Sequence, residues 1–194
     1  MPDALDLLKT RRSVSASFLA PPAPSDDELD QILSIAVRVP DHGKLAPWRF
    51  ILFKGDAGRN AGALLAQLFQ RNHPGADEKA LEEERKRLAH APLVIAVVST
   101  AAPHVKIPEF EQVLSAANAA MSILLAAQAL GYAANWTTGW IAYDEDAGRI
   151  LGLKSGERFV AFVHIGTPTV PATDRPRPSP VDVVSQWQPP ARAD

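Results

Sequence analysis

Arg11, Arg12 and Ser13 follow one another where a short N-terminal helix would end, placing two guanidiniums and a hydroxyl within three residues. Such a set can hold a phosphate or a ring carbonyl through paired hydrogen bonds. Taken alone it equally describes a solvated basic helix C-terminus, which the helix dipole favours. A second concentration spans 38–50, where Arg38, Lys44, Arg49, Asp41 and His42 share a loop stiffened by Pro40 and Pro47. Binding side chains gather in such loops on rigid scaffolds, although Asp41 and His42 also suit an ordinary turn and Trp48 a core position. The run Asn135-Trp136-Thr137-Thr138-Gly139-Trp140 could present backbone N–H groups and a flat apolar wall to a planar aromatic ligand. It could also be a strand edge with core aromatics. Arg175 and Arg177, held extended by Pro176 and Pro178, read alone as a solvated tail.

The elements that must position these groups are legible from periodicity. Asp3 can cap a helix over 4–10, and Ser25 or Asp26 opens one that must stop near Val39 because Pro40 follows. Residues 48–55 alternate as a strand, 57–71 and 77–89 read as amphipathic helices, and 93–100 as a strand buried on both faces. The longest helix, 109–130, is apolar or small nearly all round, which marks a helix buried in a large core or between subunits. Residues 134–139 and 158–166 add strands, with a helix between them from Asp144 to about Leu151. Three or four strands with helices around them make the class α/β or α+β. The stretch 20–25 is a stiff connector, and the proline-rich segment from 168 onward is an extended arm with an apolar tip at Val181, Val183, Val184 and Trp187. Such an arm lies either on its own domain or on a neighbouring subunit.

Composition narrows the chemistry. The 194 residues suffice for one domain, and a net charge of −2 argues against a general nucleic-acid or acidic-membrane binder. With no cysteine, disulfides, thiolate metal sites, iron–sulfur clusters and cysteine nucleophiles are excluded. Redox chemistry would need a cofactor. The five histidines lack metal-ligand spacing, and no GxGxxG, GxxxxGK[ST] or GxSxG motif occurs. Glu82, Glu83 and Glu84 read as a solvated helix face, and His164 as a core or cleft histidine. No signal peptide and no bilayer-spanning run is seen, so a cytoplasmic location is the default.

The order of these motifs resembles the nitroreductase family, in its compact branch, from about residue 4 to 187. It runs from Arg-Arg-Ser at 11–13 and Pro-Asp-His…Pro-Trp-Arg-Phe at 40–50 through the alanine-rich helix. Gly-Tyr-x-x-x-Trp-x-x-Gly at 131–139 follows, and then a strand ending Gly-Thr-Pro before Arg-Pro-Arg-Pro…Val-Asp-Val-Val. The resemblance implies a single α+β domain with a central, mostly antiparallel sheet surrounded by helices. It implies a homodimer whose C-terminal arm, 168–194, packs on the partner, and two FMN sites at the interface. Arg11, Arg12 and Ser13 are then expected at the FMN phosphate and ring. Arg38 and His42 are expected to reach the FMN of the partner subunit. Trp136, Thr137 and Thr138 would lie beside the isoalloxazine, with a backbone N–H near Gly139 at flavin N5, and Arg177 at the phosphate with Arg175 beside it.

The implied chemistry is a ping-pong transfer of hydride from NAD(P)H through FMN to nitroaromatics, quinones or similar small acceptors. No nucleic-acid or membrane partner is expected. Three departures stand out: Ser15 where many members carry a cation near flavin N1/O2, Ala46 where Gln or Asn is common, and Trp-Thr-Thr at 136–138 where the branch has Trp-Arg-Ser. Arg12, Arg38 or His42 is expected to supply the missing charge. The alternatives are a non-catalytic flavin-binding dimer, or another reduction on the same fold, such as dehalogenation; the short stretch 72–92 disfavours a large lid.

Overall fold

In a computed structural model, which describes residues 3–190, five antiparallel strands form one sheet. In chain order the elements are α1 (Ala4–Thr10), β1 (Leu19–Ala20), α2 (Asp26–Ala36), β2 (Trp48–Lys54), α3 (Asp56–Asn72), α4 (Glu78–Lys86) and β3 (Leu93–Ser99). There follow α5 (Glu109–Ala129), β4 (Ala133–Thr137), α6 (Glu145–Ile150), β5 (Arg158–Pro168) and α7 (Pro180–Val183). The helices begin where short polar side chains can accept the first free N–H groups. Asp3, Asp77 and Asp144 do so at α1, α4 and α6, and Ser25 with Glu28 forms a reciprocal capping box at α2.

β5 organises the sheet, since β3, β4 and β1 all pair with it and β2 continues from β3. The β3–β5 register shifts between Val97 and Val98. One face of the sheet, through Ile95, Val97, Val163 and Ile165, packs against Leu29 and Ile32 of α2 and Ala120, Ile123 and Ala127 of α5. The other, through Val94, Ala96, Val98 and Phe162, packs on α3 and on Ile141, Ala147 and Leu151 around α6. β3 is buried throughout, as its unbroken apolar run requires.

Several expectations change. α2 stops at Ala36, three residues short of Val39. β4 stops at Thr137, leaving Thr138 and Gly139 in a turn. The fifth strand is β1, a two-residue pairing with β5 at the start of the stretch expected to be only a connector. α5 is, by length and composition, apolar enough to cross a membrane, with mean hydropathy 1.3 over its best window. It instead lays one side on the sheet and α2 and leaves Phe110 and Leu114 exposed. Every residue from 168 to 190 is exposed on the single chain, with a short α7 within the arm that periodicity did not suggest.

α3 and α4 meet through Gly58 and Gly62, one turn apart, where a β-carbon would overlap the carbonyl oxygens of Leu88 and Arg85. Helix propensity alone would favour alanine at an internal helical position by about 1 kcal/mol. The backbone overlap outweighs it, so Gly62→Ala is expected to lower stability by about 1–3 kcal/mol in urea denaturation. A stabilised variant would show that α4 is free to move away.

Candidate functional site

β4 pairs with β5 along one edge only. In an antiparallel strand the N–H and C=O of one residue point to the same side, and successive residues alternate. Ala134 points away from β5, because its carbonyl accepts the N–H of Val14 at 3.3 Å. Trp136 shares that parity, so its backbone groups face outward past the point where Val14 ends the contact. Among the described residues no strand covers this edge.

The segment that reaches the edge is Arg11-Arg12-Ser13-Val14. Gln128, near the end of α5, donates its Nε2 N–H to the Arg12 carbonyl at 2.5 Å. The Arg12 side chain is 19% exposed and donates Nε–H to the Thr173 carbonyl at 2.7 Å. Asp174 then lies 3.8 Å from both Arg12 and Arg177. The two ends of the chain therefore converge, with two guanidiniums sharing one exposed carboxylate and keeping a net positive charge. Arg11, Arg12, Gln128, Tyr132, Ala133 and Val170 line a cleft of about 300 Å³ here. Inside this region the Oε1 of Gln128 is buried without a hydrogen-bond partner. Larger concavities of about 780 and 760 Å³ lie around α3 and α6, but neither brings together the groups named above.

At the other end of β4, Thr137 and Thr138 are half-buried, and Gly139 adopts φ 72°, ψ −176°, a conformation open essentially to glycine alone. Trp136 packs its side chain against the core on the α5 side, so it backs the edge and leaves no wide indole wall free. Beneath the turn is a cluster that the sequence reading missed. Glu84, expected in solvent, is 4% exposed and accepts Arg87 Nε–H at 2.6 Å and the Trp140 indole N–H at 3.1 Å. A contiguous Glu run on a charged helix hides such a residue; the one local signal was its i, i+3 spacing from Arg87, since Trp140 lies 56 positions away. His164 is buried, its Nε2 lies 3.2 Å from Thr137 Oγ1, and its Nδ1 has no partner. Burial, followed by the positive charges of His90 and Arg87, pushes its pKa down to about 4.

Arg38 and His42 lie elsewhere. Their loop includes Gly43, Lys44 and Ala46 at positive φ, and Asp41 holds it by accepting the N–H groups of Leu45 and Ala46 at 3.1 and 2.8 Å. Ala46 takes this left-handed conformation without the local side-chain bonding an Asn could offer. His42 Nδ1 lies 2.8 Å from Glu111 in the first turn of α5, and Arg38 is exposed. Arg49 is engaged by Glu157 and the Gly152 carbonyl, away from any cleft cation role. Glu111 and Gln128 are separated by roughly 25 Å along α5 at about 1.5 Å per residue. Within one chain, therefore, Arg12 and His42 stand at opposite ends of a rigid helix.

Residues 8–167 match the nitroreductase family. The chain is 35% identical over 181 residues to YdjA of Escherichia coli (strain K12), covering 92% of this chain and 97% of that one; the name of YdjA carries the words NAD(P)H nitroreductase. A Haemophilus influenzae protein named in the same words is 38% identical over 167 residues, 85% of this chain and 88% of its own. Among solved structures, a nitroreductase-like family protein from Bacillus cereus superposes with TM-score 0.80 at 21% identity, covering 96% and 97% of the two chains. A Desulfovibrio desulfuricans protein in complex with FMN does so with TM-score 0.73 at 20% identity, covering 98% and 100%.

The buried His164 has a consequence for pH. The unfolded chain takes up a proton at this residue near pH 6.5, before the folded chain does near 4. Stability from its neutral form is complete above 6.5 and drains as the pH falls toward 4, by about 3 kcal/mol. His164→Gln is expected to flatten that part of the profile when urea midpoints at pH 7 and 4.5 are compared. A variant that loses as much stability on acidification as the parent would remove His164 as the cause.

Proposed function

The chain belongs to the nitroreductase family of oxidoreductases, and from that premise we propose that it binds FMN between two copies of itself and reduces nitroaromatic, quinone or similar small acceptors with NAD(P)H in a ping-pong cycle. The observation that carries this reading is the separation of Arg12 and His42 along α5. A ligand touched by both must be shared by two chains, with one chain's Arg12 set against the partner's Arg38 and His42. The exposed Phe110 on α5 and Trp187 on the arm, 70% and 80% exposed, support an apolar interface of that kind, with the arm crossing to the partner.

The residues present fit FMN. Arg12 and Arg177, with Arg11 and Ser13 beside them, suit a phosphate dianion, which can replace the lone Asp174 carboxylate. The unpartnered Gln128 Oε1 is an acceptor awaiting a donor such as a ribityl hydroxyl. The uncovered edge at Trp136 and the turn at Thr138 and Gly139 suit the polar rim of a flat heterocycle, about two to three strand residues further along. The cleft of about 300 Å³ in one chain is at the low end for a small-ligand site and needs a second surface to close it.

When bound, FMN would supply the hydride-transfer chemistry between NAD(P)H and the acceptor. The protein's part is to hold and orient. Arg12 and Arg177 fix the phosphate end. The β4 edge would hold the polar rim of the ring. With Ser15 uncharged, the partner's cationic loop at Arg38 and His42 would supply positive potential where negative charge develops. His42 is exposed and paired with Glu111, so it can exchange a proton with solvent beside the partner's site. The stretch 72–92 forms the short α4 and no lid, which favours an open site that takes bulky acceptors over an enclosed one.

The purified protein is expected to be yellow, to bleach on NADPH addition under nitrogen and to recolour with nitrofurazone. A yellow protein that NADH and NADPH both fail to bleach would make it a flavin binder without turnover. Arg12→Ala and Arg177→Ala are each expected to weaken FMN binding by about 10–100-fold, the loss of a charge-assisted hydrogen bond. Riboflavin, which lacks the phosphate, is expected to bind both variants as it binds the parent in fluorescence titration; equal losses for both flavins would displace the phosphate from this cluster.

A further inference from the structure

The turn that follows β4 is backed by a group to which the reading above gives no task. Arg87 grips the buried Glu84 through Nε and Nη2, and Glu84 also accepts the indole N–H of Trp140, the residue after Gly139. The remaining nitrogen, Nη1, makes no hydrogen bond among the described residues and lies 3.2 Å from where a β-carbon on Gly139 would stand. One end of the guanidinium thus stands beside a glycine whose backbone is in a glycine-only region. A glycine in a short turn has many conformations to lose, and a wall on one side with an anchored neighbour on the other removes most of them before any ligand arrives.

We propose that Glu84, Arg87 and Trp140 form a clamp that fixes the Thr138–Gly139 turn in the shape that meets the flavin ring, with Arg87 as a positioning residue; this rests on the FMN reading above. The clamp carries no net charge, because the carboxylate balances the guanidinium. It works by geometry, so its loss acts on ring contacts and leaves the phosphate contacts of Arg12 and Arg177 alone. The two contributions lie at opposite ends of β4 and should be additive. The close approach of α4 to α3 at Gly58 and Gly62 gives the clamp a rigid base.

The test is a pair of titrations, with FMN and with riboflavin, on the full-length protein and on Glu84→Gln/Arg87→Met. The double variant strands no buried charge and keeps a carbonyl for the Trp140 indole. The proposal expects both flavins to bind about tenfold more weakly, by the same factor, with the absorption bands of bound FMN shifted toward those of free flavin. Arg87→Lys keeps the charge but not the fork, and is expected to fall between the parent and the double variant. Dissociation constants for both flavins within twofold of the parent, with unchanged bands, overturn the clamp. Should the double variant fail to fold, Arg87→Lys decides by the same criterion: riboflavin weakened several-fold supports the clamp, and affinity within twofold overturns it. A parent protein that binds neither flavin overturns the FMN reading and the clamp with it.

Discussion

The outer edge of β4 is the constraint around which the rest is arranged. A strand edge leaves N–H and C=O groups that must find partners, and proteins normally cover it, shorten it or charge it. Here it is covered for a single bond, from Val14 to Ala134, and then left open at Trp136. Everything near the edge serves to hold it in place. Gln128 ties the approaching segment at Arg12, β5 fixes the inner side of β4, and the Trp136 side chain is seated in the core behind it. An edge so firmly held can wait for a flat polar partner without drifting, which is what preorganised binding requires.

α5 imposes the second constraint. It joins the two regions rich in cations yet keeps them a helix-length apart, with His42 and Glu111 at one end and Gln128 and Arg12 at the other. Its composition makes sense on both sides. Alanines let the sheet and α2 approach closely, while Phe110 and Leu114 remain uncovered on the single chain. A helix apolar nearly all round but buried on one side is what the proposed dimer would complete. The arm leaves Trp187 exposed, and the proposed symmetric pair would use both.

Much of this was legible in the amino-acid sequence. The Arg11-Arg12-Ser13 cluster, the 135–140 run, the all-round apolar helix and the proline-held arginines were each visible as local chemistry, and their order carried the family. The contact of Arg12 with Thr173, which brings Arg177 near it through Asp174, spans 161 positions and is encoded by no local pattern; only the motif order suggested it. Glu84 was misread because burial depends on what packs above a helix, and the Glu82–Glu84 run looks solvated from its own sequence. For Trp136 the run left a ligand wall and a strand edge with core aromatics both open; the structure turns its backbone to the edge and packs its partly buried indole against the core. The two-residue β1 was missed because it has no period of its own and exists only as β5's partner. Arg49 counted as a loop cation, but its partner Glu157 sits more than a hundred residues away and takes it out of the site.

Backbone hydrogen exchange at a single residue tests the account most directly. Without flavin, the Trp136 amide should exchange rapidly, since it points off an uncovered edge, while that of Asn135, which points to β5, should be protected. Added FMN should slow Trp136 by at least an order of magnitude and leave Asn135 as it was. A Trp136 amide already protected without flavin, or one that FMN binding leaves fast, would contradict the claim that this edge is where the ring is held.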